Sequence, residues 1–400
     1  MTIAELFSTE VSENVLAALC LQPERLIFLG SRSVMTDGRI AAVRTFFRGR
    51  RSAPKLVFLR VGDRDYAGAG SAIRDILAKY PDCRFEITGG SDLLLAALGT
   101  VAAARQLTMF ELDVRQQSLT LLRGRADDLK PGLFRPLRGI AAGEYVRLWG
   151  GELTESSYTM AARLPESLDR DVADMWQVYV QAPQIWTKQC AILSNLCARS
   201  RSGGLTVSAP MTEKCARSHI DRLLKAKLIS GYSEKGSIVT LTFRDHHVKR
   251  TLTRAGDLLE LQVFLSARGE PGFFTDAVMG AKISWNGGEE RGGTMNEIDG
   301  LLMHGAVPVF VSCKLGSVPK EALYEVDSVA ARFGGLYAVK ALACSRLSGA
   351  ESARKAIRQR ARDMGILLIE GVDGLSRREL ARKLKREALE GPGGRLSKLS

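Results

Sequence analysis

The sequence predicts an α/β protein built from two sheets with a smaller helical segment between them. Short apolar runs alternate with amphipathic segments over residues 1–123, an order typical of a parallel sheet with crossover helices. Residues 251–375 contain consecutive strand-length runs before most of their helices, which predicts a mixed sheet flanked by helices. A helix followed by two strands lies between these regions and predicts a third, central domain.

The first region has the pattern of a Rossmann-like domain. Its predicted strands are Ile3–Phe7, Arg25–Gly30, Lys55–Arg60 and Arg84–Thr88, and its helices are Glu13–Leu21, Gly38–Phe47, Tyr66–Tyr80 and Asp92–Arg105. The segments Leu107–Val114 and Gln117–Leu122 predict a closing hairpin. Because such sheets bind ligands beyond the carboxyl ends of their strands, the loops there supply the candidate binding residues. These are Ser8, Thr9, Ser31, Arg32, Thr88, Gly89, Gly90 and Ser91.

The turn Thr88-Gly89-Gly90-Ser91 is the most specific of these loops. Its two glycines allow a ligand to approach the backbone closely, and the helix that follows offers free N–H groups to an anion. A tight turn without a ligand is the alternative interpretation. The dinucleotide pattern Gly-x-Gly-x-x-Gly does not follow these strands, so the sequence does not indicate NAD.

Residues 124–170 are rich in arginine, proline and glycine and predict a connector or extended arm. Residues 171–250 predict a winged-helix-like domain, with a long helical stretch over Arg170–Arg199 and a second helix over Met211–Lys227. The second helix carries the basic residues Lys214, Arg217, His219, Arg222, Lys225 and Lys227. Such a helix beside a wing can lie along DNA phosphates, or it can be the solvated face of a domain used for dimerisation or for coupling.

The third region, residues 251–375, centres on two predicted strands separated by His304-Gly305-Ala306. We expect His304 to be exposed at the hairpin tip. Asp299 begins the first strand, and Ser312 and Lys314 share one face of the second. An acid and a lysine on neighbouring strands can hold a divalent metal, Mg²⁺ or Mn²⁺, beside an activated water. Lys314 then orients or deprotonates that water, or stabilises the pentavalent phosphate.

This pattern resembles the active site of the PD-(D/E)XK nucleases, the restriction-endonuclease-like superfamily. The resemblance rests on Asn296-Glu297-Ile298-Asp299 and Ser312-Cys313-Lys314. It implies a nuclease with Asp299 as metal ligand and Lys314 as catalytic residue. Ser312 occupies the place where the superfamily usually has a second acid. Since some members carry that acid on a neighbouring helix, the candidate replacements and further ligands are Glu325, Glu260 and Glu297, unless Glu325 and Glu260 are solvated helix acids.

The wider chain resembles the CRISPR ancillary nucleases, in which a CARF sensor domain is joined to such a nuclease. The segments that carry this resemblance are Thr88-Gly89-Gly90, the two nuclease motifs and Ala331-Arg332-Phe333-Gly334-Gly335. It implies a homodimer whose N-terminal domain binds a cyclic oligoadenylate, with cyclic tetra-adenylate favoured, as allosteric activator. Ser91 and Asp92 stand where the family often has threonine and lysine, so Arg32 is the candidate cation, or else a solvated loop residue.

Composition agrees with a polyanionic partner. The 400 residues carry a formal net charge of +13 at pH 7, which favours nucleic acid first and a membrane surface second. The cysteines are scattered without a Cys-x-x-Cys pair, as in a reduced cytoplasmic protein. We expect no membrane span, because the longest apolar run, Leu93–Ala104, is too short. Residues 376–400 predict a basic tail that adds phosphate affinity or frays.

The sequence therefore predicts a metal-dependent nuclease gated by a small nucleotide, acting on DNA, RNA or both. A ligand-controlled winged-helix DNA-binding regulator with a degenerate nuclease domain is the main alternative, because Ser312 carries no charge. A constitutive nuclease whose N-terminal domain only dimerises is a third possibility. Under each of these readings the protein contacts nucleic acid.

Overall fold

The computed structural model describes residues 1–125, 139–285 and 295–391. In this part of the chain it contains a six-stranded, a three-stranded and a seven-stranded sheet, each with flanking helices. This confirms the predicted α/β class and the order of its three domains. No helix in these ranges is both long enough and apolar enough to cross a bilayer.

The N-terminal sheet is doubly wound. Its elements are β1 (Thr2–Leu6), α1 (Glu13–Leu21), β2 (Arg25–Ser31), α2 (Asp37–Phe47), β3 (Lys55–Val61), α3 (Tyr66–Lys79), β4 (Arg84–Glu86), α4 (Asp92–Ala104), β5 (Thr108–Asp113) and β6 (Ser118–Arg123). The strand order is β3-β2-β1-β4-β5-β6, parallel except for the hairpin of β5 and β6. Successive side chains of β1 point to opposite faces of the sheet. Ile3 packs with α1 on one face, whereas Ala4 and Leu6 pack with α3 and α4 on the other.

The segment predicted as a connector is instead part of the C-terminal sheet. It forms α5 (Ala142–Leu148), β7 (Gly151–Glu155) and β8 (Tyr158–Thr159). Both strands pair with the strand Asp276–Trp285 of that sheet. Leu153 of β7 lies opposite Ile283, and Thr159 of β8 lies opposite Val278. The sequence predicted a connector here because a short, half-exposed edge strand has too few apolar residues to be distinguished from a loop. Residues 126–138, which hold most of the predicted basic arm, lie outside the described residues.

The central domain has the winged-helix-like arrangement that the sequence predicts. It consists of α6 (Leu168–Val180), α7 (Pro183–Ser200), β9 (Thr206–Pro210), α8 (Arg217–Lys225), β10 (Ile229–Lys235) and β11 (Ile238–Phe243), with sheet order β10-β11-β9. The predicted long helix divides before Pro183, because proline cannot donate the helical hydrogen bond. The expected Met211–Lys227 helix begins only at Arg217.

Part of the predicted basic face of α8 is neutralised or buried. Lys214 pairs with Glu234 at 2.7 Å, and Arg217 pairs with Asp221 at 3.0 Å. His219 is buried, and burial together with the nearby Arg222 lowers the pKa of its imidazole to about 4. His219 is therefore a neutral core residue at physiological pH and no phosphate ligand.

The C-terminal domain is a mixed sheet between helices. Its remaining elements are α9 (His246–Thr253), α10 (Asp257–Arg268), β12 (Asp276–Trp285), β13 (Met295–His304), β14 (Val307–Val318), α11 (Glu321–Phe333), β15 (Val339–Leu347), α12 (Glu351–Asp363), β16 (Ile366–Glu370) and α13 (Arg377–Glu390). The sheet order is β16-β15-β14-β13-β12-β7, with β8 also on β12. Strands β12 to β14 are antiparallel and β14 to β16 are parallel.

Two local expectations for this domain differ from the structure. The predicted basic tail contains α13, whose residues Leu380, Leu384 and Ala388 are buried and which packs against α10. Arg378, Arg382 and Arg386 of this helix are exposed, whereas Arg377 donates to Gln262 on α10 and Lys385 pairs with Glu270. Residues 392–400 lie outside the described range. His304 is not exposed but 8% accessible, because it stacks on Phe273 with ring centroids 3.9 Å apart.

Candidate active site and ligand cleft

Asp299 and the strand that carries Lys314 are joined by hydrogen bonds. The pairing Gly300↔Val311 between β13 and β14 brings Asp299 beside Ser312 and Cys313. The Cys313 backbone N–H donates to Asp299 Oδ2 at 2.7 Å, and the Ser312 hydroxyl donates to the same oxygen at 3.2 Å. Ser312 thus orients the acid on the neighbouring strand, a role that a carboxylate at this position could fill only when protonated.

Lys314 lies between two carboxylates. Its Nζ is 3.6 Å from Asp299 Oδ2 and 3.4 Å from Glu325 Oε2 on α11. Partial burial by itself would lower the pKa of Lys314, but the charges of Asp299 and Glu325 outweigh it and raise the pKa. Lys314 is therefore an ammonium in this state, suited to stabilising negative charge and unsuited to removing a proton from water.

An irregularity in β14 follows Lys314 directly. The pairing with β15 shifts register between Lys314 and Ser317, and Gly316 has a φ of +95° that favours glycine. The Gly316 N–H donates to Ser345 Oγ at 3.3 Å, and Ser345 in turn contacts the Tyr179 hydroxyl at 2.6 Å. Regular alternation places Lys314 on the same face as Ser312, which contacts Asp299, and the bulge interrupts the pairing only after Lys314.

The remaining predicted acids lie around this pair in different ways. One cleft is lined by Glu297, Asp299, Ser312, Lys314 and Glu325. Glu260 projects from the first turn of α10 and does not line the cleft. Burial raises its pKa to about 8, with the charges of Asp299, Asp257 and Glu297 adding to the effect and Lys314 opposing it. Glu260 is thus close enough for the Asp299 charge to act on it, and its role as a metal ligand stays a prediction.

The chemistry of these donors fits one hard cation. Within 1–125, 139–285 and 295–391, no three His, Cys, Asp or Glu side chains are arranged as a ready metal cage, so the four predicted ligands are not assembled as a set. Mg²⁺, however, is commonly held by one or two carboxylates, with waters and substrate phosphates completing its shell. A cation near Asp299 would also offset the negative charges that add to the effect of burial on the pKa of Glu260.

The candidate ligand cleft lies between the loops that follow β1 and β4. These two strands are neighbours at the centre of the sheet, where the chain reverses direction across it. A methyl group placed on Gly89 would lie 2.7 Å from the Ser8 Cβ, so the loops of Ser8 and Thr88–Ser91 are in contact. Gly90 has a φ of +101°, and Ser91 caps α4 through Leu94 N. The structure therefore brings four predicted binding positions, Ser8, Gly89, Gly90 and Ser91, to one place.

The loop after β2 is held separately. Ser33 donates to Asp63 Oδ1 through its N–H at 2.9 Å and through its hydroxyl at 2.6 Å, and Ser31 Oγ lies 3.2 Å from Ser33 Oγ. Arg32 is exposed, as is Thr9. Both side chains are therefore accessible to a ligand.

Acidic residues beneath the glycine turn were not predicted as part of the site. Glu86 accepts hydrogen bonds from the Thr88 N–H at 2.8 Å and from the Thr88 hydroxyl. Glu5, its partner in the β1–β4 register, is 1% exposed, and neither of its carboxylate oxygens has a hydrogen-bond partner. Burial, and then the charges of Glu86 and Glu13, raise the pKa of Glu5. Burial likewise raises the pKa of Glu86 to about 7.

Two further acids, Glu10 and Glu13, connect this cleft to the C-terminal domain. Glu10 Oε2 accepts from Leu336 N at 2.7 Å, and Glu13 Oε1 accepts from the Tyr337 hydroxyl at 2.5 Å. More than 300 residues of sequence separate the partners, so only the tertiary structure reveals them. The one available signal was an acid at the start of α1, which also fits an ordinary favourable helix-dipole position.

Comparison with known proteins supports the complete architecture. The sequence matches no family model and no curated protein. The fold is similar to protein VC1899 from Vibrio cholerae, with a TM-score of 0.72 and 17% identity over 97% of this chain and 98% of that one. It is also similar to Can2 from Sulfobacillus thermosulfidooxidans, solved in complex with cyclic tetra-adenylate, with a TM-score of 0.68 and 18% identity over 96% and 97%. The chain therefore shares the whole fold of these two proteins, in agreement with the family resemblance drawn from its sequence.

Proposed function

We propose that this protein is a metal-dependent nuclease that a cyclic oligoadenylate activates. The observation that carries the proposal is the Asp299–Lys314 pair on adjacent strands of a mixed sheet, in a cleft that also contains Glu297 and Glu325. A carboxylate fixed by two hydrogen bonds beside an ammonium is the minimum set for holding a metal and a phosphodiester together.

Each residue of the cleft has a distinct part in this chemistry. Asp299 would hold the metal, with Glu260 as the second acid from α10 and Glu297 or Glu325 as outer partners. When bound, Mg²⁺ or Mn²⁺ supplies charge neutralisation and a water of lowered pKa. Lys314, already an ammonium, stabilises charge that develops on the phosphate. Ser312 keeps the Asp299 carboxylate in place.

The ion pair between Lys314 and Glu325 is a contact that a substrate must replace. Glu325 is 62% exposed and Lys314 is 38% exposed, so both are accessible to an incoming phosphate. A phosphate that takes the place of Glu325 keeps the ammonium paired at no loss of charge complementarity. Glu325 is therefore a competitor for Lys314 in the ligand-free protein as well as the candidate replacement for the missing acid.

The activator would bind at the cleft formed by the Ser8 and Thr88–Ser91 loops. Gly89 and Gly90 let this turn pack directly on Leu6, Ser8 and Glu13, and α4 begins directly after them with Ser91 as its cap and its first N–H groups available to an anion. Can2, which has the same fold, was solved with cyclic tetra-adenylate, which favours that ring size here. A symmetric cyclic ligand fits a site completed by two copies of the chain, so we propose a homodimer.

The substrate would be DNA, RNA or both, cut without strong sequence preference. The chain carries a net charge of +13, a value suited to phosphate contacts that position a strand without reading its bases. Radiolabelled single-stranded DNA, duplex DNA and RNA, incubated with Mg²⁺ or Mn²⁺ and with cyclic tri-, tetra- or hexa-adenylate, test the proposal. We expect cleavage that requires both a metal and one of the three ligands; its absence on all substrates refutes the proposal.

A ligand-controlled DNA-binding regulator is the second candidate. Ser312 in place of an acid and the lack of a three-acid cluster in the described ranges favour it. It predicts no cleavage but salt-sensitive, sequence-selective binding through α8 and its wing, where the exposed Lys225 would face phosphates. Gel-shift measurements on the same oligonucleotides at two salt concentrations distinguish the two candidates.

A further inference from the structure

The turn between α11 and β15 is built against the N-terminal domain. A methyl group on Gly335 would collide with the Glu10 carboxylate and would lie 2.6 Å from the Trp149 ring, and its φ of +59° also favours glycine. The next residue, Leu336, donates its N–H to Glu10 at 2.7 Å. The backbone of the turn is thus in direct contact with the Glu10 side chain of the loop after β1.

Glu13 touches both the turn and the ligand cleft. One carboxylate oxygen, Oε1, accepts the Tyr337 hydroxyl at 2.5 Å. The other, Oε2, lies 2.7 Å from where a methyl group on Gly89 would be. The side chain is buried, so it has little room to move without disturbing one of its two neighbours.

The opposite part of α11 reaches the candidate active site. Glu325 lies on this helix and pairs with Lys314, while Phe333 at its last position is buried. Glu325 lies eight residues before Phe333, which corresponds to about 12 Å along a helix that would shift as one body. A displacement of the turn at Gly335–Tyr337 therefore changes the position of Glu325 relative to Lys314.

We propose that Glu13 and Tyr337 form a positioning relay that holds α11 where Glu325 pairs with Lys314, and that a ligand on the glycine turn releases it. The inference rests on the proposed function and assigns its regulation to named residues. An anionic ligand seated at Gly89 is repelled by the Glu13 carboxylate. Ligand binding therefore favours the arrangement in which Glu13 leaves Tyr337, α11 shifts, and Lys314 becomes free for the substrate.

The test compares two tyrosine-to-phenylalanine variants on the same segment. Tyr337→Phe removes the hydroxyl that donates to Glu13, whereas Tyr324→Phe removes an exposed hydroxyl of α11 that accepts from Arg360 on α12. We expect Tyr337→Phe to raise the ligand-free cleavage rate about 5- to 20-fold, within the range of ordinary allosteric coupling, and to leave the rate at saturating cyclic tetra-adenylate within about two-fold. Tyr324→Phe should resemble the wild type. Unaltered or uniformly lowered rates in a folded Tyr337→Phe overturn the relay.

Hydrogen exchange of the wild-type protein tests the relay without a variant. Addition of cyclic tetra-adenylate should increase amide exchange over residues 321–337 as well as change it over 88–91. A response at 88–91 with none at 321–337 overturns the relay, whether or not the protein cuts nucleic acid. Failure of the proposed function is a separate result, namely no cleavage by the wild type with metal and ligand present.

Discussion

The Cys313 backbone N–H donates a 2.7 Å hydrogen bond to the Asp299 carboxylate across the β13–β14 pair. A main-chain donor cannot rotate away, so it fixes the carboxylate more firmly than a second side chain does. The Ser312 hydroxyl donates a second hydrogen bond to the same Asp299 oxygen. This arrangement leaves Asp299 Oδ1 available for a cation, and it explains how the cleft can remain ordered although the usual second acid is absent.

Removing the Lys314 ammonium should abolish most cleavage. Lys314→Ala takes away the charge that lies 3.6 Å from Asp299, and loss of one such electrostatic group typically lowers kcat about 10²- to 10³-fold. Single-turnover cleavage of a labelled oligonucleotide at saturating metal measures the effect. Lys188→Ala, which removes a 66% exposed lysine of the central domain, is the matched control and should cut normally. Full activity of Lys314→Ala contradicts the site assignment.

Metal affinity should rise with pH because of Glu260. Burial and the neighbouring acids raise its pKa to about 8, and a ligand carboxylate must lose its proton before it binds a cation. Isothermal titration with Mn²⁺ at pH 6, 7 and 8.5 should show a gain in affinity that Glu260→Gln abolishes. The metal then binds weakly to the variant at every pH. A pH-independent wild type shows that Glu260 takes no part.

The acids under the glycine turn should make the protein less stable at alkaline pH. Glu86 has a folded pKa of about 7 against about 4.5 when unfolded, and the pKa of Glu5 is also raised. Their contribution to the free energy of unfolding is therefore fully present below about pH 4.5, and that of Glu86 is lost as the pH rises through about 7. We expect Glu5→Gln, which keeps the shape without the charge, to raise Tm by about 2–4 °C at pH 8.5 and little at pH 5. An equal shift at both pH values contradicts this account.

Alanine at Gly90 should weaken ligand binding. Its φ of +101° is unfavourable for alanine, and the added methyl would lie 2.5 Å from the Leu6 Cβ. We expect Gly90→Ala to lower the affinity for cyclic tetra-adenylate at least about tenfold, the factor that a loss of 1.4 kcal/mol produces. Gly99→Ala, inside α4 with no atom near the new methyl, should bind normally and be slightly more stable. Normal binding of cyclic tetra-adenylate by Gly90→Ala would show that the ligand binds elsewhere on the protein.

The last helix should behave as core and not as a tail. Leu384 on α13 is 0% exposed, so Leu384→Ala should destabilise the C-terminal domain by about 2–5 kcal/mol. Urea unfolding followed by tryptophan fluorescence measures the loss. Arg386→Ala, on the exposed side of the same helix, is the control and should change stability by less than about 0.5 kcal/mol. An unaffected Leu384→Ala would show that α13 is not anchored.

The sequence by itself determined the fold class, the domain order and the pairing of Asp299 with Lys314. These depend on local periodicity and on strand neighbours separated by a short hairpin, so pattern reasoning reaches them. It could not separate the edge strands β7 and β8 from a loop, because half-exposed strands of few residues have no distinctive pattern. The same limit applies to His304, whose burial depends on Phe273 thirty-one residues away.

Only the tertiary structure decided which acids meet. The Ser312 and Cys313 contacts to Asp299, the approach of Glu260 from α10, and the Glu13–Tyr337 bond all join residues from different elements. Their distances follow from how helices and sheets pack, and their protonation follows from burial, which no single segment encodes. The candidate catalytic pair, Asp299 and Lys314, can thus be recognised from local sequence, whereas its connection to the N-terminal cleft depends on how the whole chain packs.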